Sequence, residues 1–230
     1  MQRFVYTGTI DSYDSASAGR VIDNNTPVDR RIASRNLYAR SKASCEAILR
    51  EQADKDGLRL VIARPGIVIG PGSPLAHPGV GRFASETDVR FWGDGTNKLP
   101  LVHVDDVADA LLKAGFVPDI DGQTLLVCGP PLLSAREYVA AYEASAGIQI
   151  AAEPGSLVRF WLADLVKESA KNLIRHPNRR RSTLHDWECR SHRARYDPAQ
   201  TEAVLDWHPI ADPAVLRARA IDALVADDAR

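Results

Sequence analysis

The chain has 230 residues, 45% of them hydrophobic, enough for one sizeable core with an attached lobe. Its 29 basic and 30 acidic side chains nearly cancel, which excludes a global electrostatic pull toward nucleic acid or a membrane surface. The 3 cysteines (Cys45, Cys128, Cys189) follow no metal-like or disulfide-framework spacing, so reduced thiols, no metal and a cytoplasmic protein are expected.

Phe4 to Thr7 is a short β-branched and aromatic run closed by Gly8, which predicts a strand. Asp11 to Arg31 is rich in Ser, Asp and Asn and predicts a surface loop. Arg35 to Asp56 has helix composition, with Ser34 as the expected N-cap and Gly57 as its stop. Leu58 to Ala63 reads as the next strand, and Arg64 to Gly72 as a Gly/Pro-punctuated loop at its end. Val89 to Trp92 predicts a short strand and Gly93 to Gly95 a turn. Leu101 to Val104 is a further strand, and Asp105 is the expected cap of a helix from Asp106 to Ala114. Thr124 to Cys128 is another strand, and Ser134 caps a helix to about Ser145.

Strands that are almost continuously apolar and alternate with helices argue for a parallel sheet covered on both faces. Beyond residue 150 the pattern changes. Leu157 to Ile174 predicts an amphipathic helix whose apolar face is Leu157, Phe160, Trp161, Leu165 and Ile174, broken by the basic run Arg175 to Arg181. Two shorter helices follow, Pro198 to Leu205 and Pro213 to Ala226. The expected domains are therefore residues 1–150, α/β, and 151–230, a mostly helical lobe. Trp161, Trp187 and Trp207 are expected in the core. No apolar run approaches the roughly 20 residues that cross a bilayer.

Tyr38 and Lys42 lie four apart on the first helix, hence on one face. A phenol has a reference pKa near 10. A cation beside it favours the phenolate, which suits it to general acid/base work. Tyr–Lys pairs at this spacing are common helix surface, so context decides. That context is Thr9, a hydroxyl just past the C-terminal end of the first strand, where open α/β sheets bind ligands.

FVYTGT (Phe4 to Thr9), YARSK (Tyr38 to Lys42), RPGIVIGPG (Arg64 to Gly72), LVHVDDVADALL (Leu101 to Leu112) and ARYDPAQTEAVLDWHP (Ala194 to Pro209) occur together and in that order. In this company the sequence resembles the extended short-chain dehydrogenases/reductases, the NAD-dependent epimerase/dehydratase family, across nearly the whole chain. The resemblance implies the C-terminal part of a doubly wound, Rossmann-type α/β fold with a small helical substrate lobe. It implies Thr9, Tyr38 and Lys42 as catalytic hydroxyl, acid/base and activator, and Tyr38, Lys42, Pro65, Gly66 and Ile67 around a nicotinamide, NAD or NADP. His103 and Asp106 are read as structural. The implied substrate is a nucleotide-linked sugar, gripped by arginines drawn from Arg82, Arg190, Arg193, Arg195 and the run at Arg179 to Arg181. A homodimer through the Tyr38 helix is also implied.

Two departures stand out. Ile67 replaces an asparagine that many sugar-nucleotide members carry, and the wording of that loop also resembles the steroid-dehydrogenase branch, which would take an apolar alcohol. The family's GxxGxxG turn, which cradles a pyrophosphate on a helix N-terminus, has no counterpart in these 230 residues. About 100 residues of strands and helices are therefore expected upstream of Met1 in the parent protein. A non-catalytic remnant or scaffold is the reading from a different class.

Overall fold

The computed structural model describes residues 3–177 and 182–228. In chain order the elements are β1 (Phe4–Thr7), β2 (Val21–Ile22), α1 (Leu37–Asp56), β3 (Leu60–Pro65), β4 (Ile67–Ile69), β5 (Gly81–Ser85), β6 (Asp88–Phe91), β7 (Leu101–His103) and α2 (Val104–Phe116). Then come β8 (Thr124–Val127), α3 (Ala135–Ala146), β9 (Ala151–Glu153), α4 (Leu157–Leu173), α5 (Leu184–Cys189), β10 (Arg195–Tyr196), α6 (Ala199–Leu205), α7 (Pro213–Arg217), a π-turn and α8 (Ala223–Asp228).

β3 is buried at every position and lies between β1 and β8, both parallel to it. Phe4 pairs with Leu60 and Ile62 with Thr124. Alternation along the strands divides the core. Val61, Ala63, Leu125 and Val127 join one apolar cluster with Val107, Ala110 and Ala114 of α2 and with Trp207. Leu126 and Cys128 join the other, with Tyr13, Ile22 and Tyr138. The face that carries Arg64 meets α1, because the Arg64 guanidinium donates to both carboxylate oxygens of Glu46, at 3.0 and 3.2 Å from Nε. Both side chains are buried. Gly8 is glycine for the same reason: a Cβ there would come within 2.5 Å of Glu46 Oε1.

Several local expectations are corrected. Arg64 to Gly72 is not one loop. β3 runs through Pro65, and Ile67–Ile69 forms β4, parallel to β7 with Ile67 opposite Leu101. Leu101–His103 therefore pairs outside the three-stranded sheet. α1 starts at Leu37, not Arg35, because the Asn36 side chain accepts from Ala39 N at 3.0 Å while Ser34 closes a 3-10 turn. α2 starts at Val104, with His103 rather than Asp105 as its cap. His103 Nδ1 accepts from Asp105 N, but its buried Nε2 has no partner among the described residues.

Residues 11–31 are more than surface. Ser12, Tyr13, Ser15, Ile22 and Asp29 are buried, and β2 pairs with β10. α4 is also rotated relative to its expected apolar face: Phe160, Asp164 and Glu168 turn inward, while Leu165, Val166, Leu173 and Ile174 are exposed. Phe160 sets this rotation, since its ring packs 5.5 Å from Trp92 and 5.7 Å from Trp187. The expected caps at Gly57 and Ser134 hold, the latter as a full capping box with Glu137. Trp207 is fully buried, its Nε1 donating to Asp106 O at 2.9 Å. Asp106 Oδ2 accepts from Ile210 N, a structural role as expected. No helix of the described residues is long and apolar enough to cross a membrane.

Candidate active site

Thr9 leaves β1 and caps the 3-10 turn Ile10–Ser12, its Oγ1 accepting from Asp11 N at 3.2 Å. That bond uses a lone pair and leaves the hydroxyl proton available to a ligand. Tyr38 is the second residue of α1 and its side chain is exposed. The start of α1 is pinned rather than frayed: Asn36 donates through N and Nδ2 to Asp186 Oδ1 at 2.8 and 3.0 Å. Beside it, buried Arg35 bonds Asp186, Asp29 and the Tyr13 carbonyl. One turn on, Lys42 Nζ donates to Thr7 O at 2.9 Å and lies 6.0 Å from the Tyr38 ring centroid and 5.4 Å from that of Tyr6. Burial holds the Tyr6 phenol above its ordinary value, so it stays protonated.

Thr9 and Tyr38 open onto one cavity of about 430 Å³, whose wall includes Gly66, Ile67, Trp92 and Arg190. Gly66 is glycine because a Cβ would lie 2.1 Å from the carbonyl oxygen of Pro100. Of the other expected residues, Pro65 is buried in β3, and Lys42 reaches β1 without lining the cavity. Arg82 stacks on Phe160, its guanidinium carbon 5.8 Å from the ring centroid, and Arg195 is exposed and paired with Asp197 at 3.5 Å. Neither lines the cavity. Arg193 is exposed. Arg179, Arg180 and Arg181 lie outside the described residues.

Arg190 is the arginine in position. It sits 4.7 Å from the Trp187 ring and 5.3 Å from the Trp92 ring, and its buried Nε has no partner among the described residues. Trp187 is half-buried, packed behind Arg190 against Trp92 and Phe160, rather than deep core.

Sequence reasoning missed Asn36, His77 and His192, which line the cavity too. The Asn36 cap was legible as an Asx signal one helical turn before Arg40. His77 and His192 carried none. Desolvation lowers both imidazoles, His192 to about 4, so both are neutral at pH 7. His192 Nδ1 is 2.9 Å from the Tyr196 hydroxyl, and its φ of 47° is strained for a residue with a Cβ.

This donor set fits one end of a nicotinamide cofactor: a phenol and a hydroxyl at a strand's C-terminal end, with Gly66 and Ile67 as a close wall. It does not supply the other end. Among the described residues no glycine-rich turn joins a strand to a helix N-terminus; Gly70 and Gly72 (φ 118° and 86°) lead into a turn instead.

The chain is similar over 98 residues, at 32% identity, to a sterol-4-alpha-carboxylate 3-dehydrogenase of Candida albicans, a match spanning 39% of this chain and 28% of that protein. It is similar over 97 residues, at 30% identity, to a dTDP-4-dehydro-6-deoxy-D-allose reductase of Streptomyces bikiniensis, spanning 37% and 29%. The matches thus span under a third of these curated relatives. Among solved structures, a UDP-glucuronic acid 4-epimerase from Bacillus cereus, in complex with UDP-glucuronic acid and NAD, superposes with a TM-score of 0.66 at 15% identity. That superposition covers 98% of this chain and 62% of the other, which establishes the Rossmann-type fold. The family model of the NAD dependent epimerase/dehydratase family matches residues 1–123, more than half of the chain, and the chain belongs to that family.

Proposed function

We propose that this chain carries the proton-transfer and substrate-gripping parts of an NAD- or NADP-dependent oxidoreductase or epimerase acting on a nucleotide-linked sugar. The observation that carries the reading is the convergence of Thr9 and Tyr38 on one cavity whose wall also includes Arg190. When bound, a nicotinamide supplies the hydride acceptor. Tyr38 then removes the proton from a substrate hydroxyl at its phenolic oxygen and returns it in the reverse direction. Thr9 donates its hydroxyl proton to the same substrate oxygen and orients it. Lys42, tethered to Thr7 O, keeps a positive charge on the Tyr38 side of the helix. Gly66 and Ile67 form the wall against which the nicotinamide would lie.

Arg190 grips the substrate diphosphate, a role for which a guanidinium held against two neighbouring indoles and beside Asp186 is preorganised. An apolar alcohol such as a sterol is the second reading, supported by the Ile67 and Trp92 wall and by the sterol-dehydrogenase relative. Arg190 favours the first, because a charged guanidinium on the cavity wall complements a diphosphate and not a sterol.

The test compares UDP-glucose turnover, read as NADH formation or as epimerised product without net NADH, with NADH formation from a sterol alcohol by the protein carrying this chain. UDP-glucose should be preferred, and Tyr38→Phe should lower kcat by about 10²-fold or more with the fold intact. Preference for the sterol, or full activity of Tyr38→Phe, overturns the corresponding part. By itself the 230-residue chain should bind NAD weakly, and micromolar affinity in calorimetry would contradict that expectation.

A further inference from the structure

The loop after β1 meets α5 on the far side of Arg35 from the cavity, and there the chain brings together three groups of unlike softness. His185 and Cys189 are one turn apart on α5 and both are buried. Asp14 approaches them from the loop, and one ligand atom from each residue lies within 4.8 Å of the other two. Cys189 Sγ lies 3.9 Å from His185 Nδ1 and 3.7 Å from Nε2. Asp29 Oδ2 is 2.6 Å from His185 Nε2. A carboxylate bonded to one ring nitrogen leaves the other, here Nδ1, as the one that can ligate once it gives up its proton.

We infer that Asp14, His185 and Cys189 form a metal site that takes Zn²⁺ through a carboxylate oxygen, Nδ1 and a thiolate. The S/N/O set suits a borderline-soft dication of tetrahedral habit. Zinc–ligand bonds of about 2.0–2.3 Å put tetrahedral ligand atoms roughly 3.5 Å apart. Atoms now within 4.8 Å of one another must therefore close up, with the Cys189 and His185 side chains turning so that Sγ comes to the Nδ1 side. Asp29 is the outer carboxylate that holds the imidazole in its ligating tautomer.

Asp14 is paired with Arg20 and Arg31, and Arg35 with Asp29 and Asp186, while Arg190 also reaches Asp186. The thiolate formed on binding offsets one of the metal's two charges. A cavity of about 290 Å³ lined by Asp14, Asp29, Arg20 and Arg31 opens beside Asp14. Metal here would tie the loop after β1 to α5, the helix whose Asp186 pins the start of α1 and whose end presents Arg190.

The probe is Co²⁺, a spectroscopic stand-in for Zn²⁺, titrated into the metal-stripped, phosphine-reduced 230-residue chain. One equivalent should bind with a thiolate-to-cobalt charge-transfer band and the intense visible bands of four-coordination, and Zn²⁺ should bleach both. Cys189→Ser should abolish the charge-transfer band and weaken binding by about 100-fold. Cys45→Ser, at the exposed thiol, should change neither. Asp14→Asn should weaken binding about tenfold while keeping the band, and it carries the test if Cys189→Ser does not fold. A pale six-coordinate spectrum without the band overturns the proposal. So does a band that survives Cys189→Ser, or unchanged affinity in folded Asp14→Asn.

Discussion

Glu46→Gln keeps the shape of the side chain and removes one of two charges buried between α1 and the sheet. Arg64 and Glu46 have side-chain exposures of only 3% and 2%. The glutamine can still accept one bond from Arg64 but leaves the guanidinium uncompensated in a dry site. Breaking a buried pair this way costs about 3–5 kcal/mol. Stacking of Arg64 over the Tyr13 ring, at 4.6 Å, persists and favours the low end. For a domain of this size that is a fall of about 10 °C in Tm. Replacing both partners by apolar residues, Glu46→Leu with Arg64→Met, should return stability to within about 1 kcal/mol of the parent, since neither charge then needs solvation. The assay is urea unfolding of the parent, both singles and the double, followed by circular dichroism. A Glu46→Gln loss under about 1 kcal/mol, or a double mutant as costly as the sum of the singles, refutes the reasoning. The result matters for the site because Glu46 lies about 12 Å along α1 from Tyr38 and fixes the helix that carries it.

Gly66→Ala should destabilise by about 2 kcal/mol or more, because its Cβ meets the backbone oxygen of Pro100 at 2.1 Å, and denaturant midpoints measure it. Trp207→Phe should cost about 1–3 kcal/mol in the same assay, by leaving the Asp106 carbonyl without its donor and a cavity beside α2. His192 is neutral in the fold with a pKa near 4 against 6.5 unfolded; burial is the first cause, and Arg35 and Arg190 oppose the charge while Asp11 favours it. The unfolded chain therefore binds the extra proton. This group's contribution is complete above pH 6.5 and is lost as pH falls from 6.5 to 4, by up to about 3 kcal/mol. His192→Gln should flatten that part of the stability–pH profile, and an unchanged slope would refute it.

The sequence by itself determined the class of the fold and the order of its motifs. The apolar runs at Leu58–Ala63 and Thr124–Cys128 read as strands, and the structure sets them at Leu60–Pro65 and Thr124–Val127. Tyr38 and Lys42 share a helix face by spacing, and Thr9 follows a strand end. These are local or periodic properties, so they are legible one segment at a time. Pairing is not local. That Ile67–Ile69 runs beside Leu101–His103, and β2 beside β10, depends on segments far apart in the chain. The side of α4 that faces inward was likewise decided by Phe160 meeting Trp92 and Trp187, against the apolar count of the helix.

The arginines show the same division. The sequence offered Arg82, Arg190, Arg193, Arg195 and the run at Arg179 to Arg181 without choosing among them, and only the packing of Arg190 against two indoles at the cavity singled it out. Asp14, His185 and Cys189 follow no metal-binding spacing because more than 170 residues separate the loop from α5 (185 − 14 = 171). A ligand set distributed in this way becomes visible only when tertiary contacts close the distance, since the energy of such a site depends on separations of a few ångströms that no residue pattern encodes.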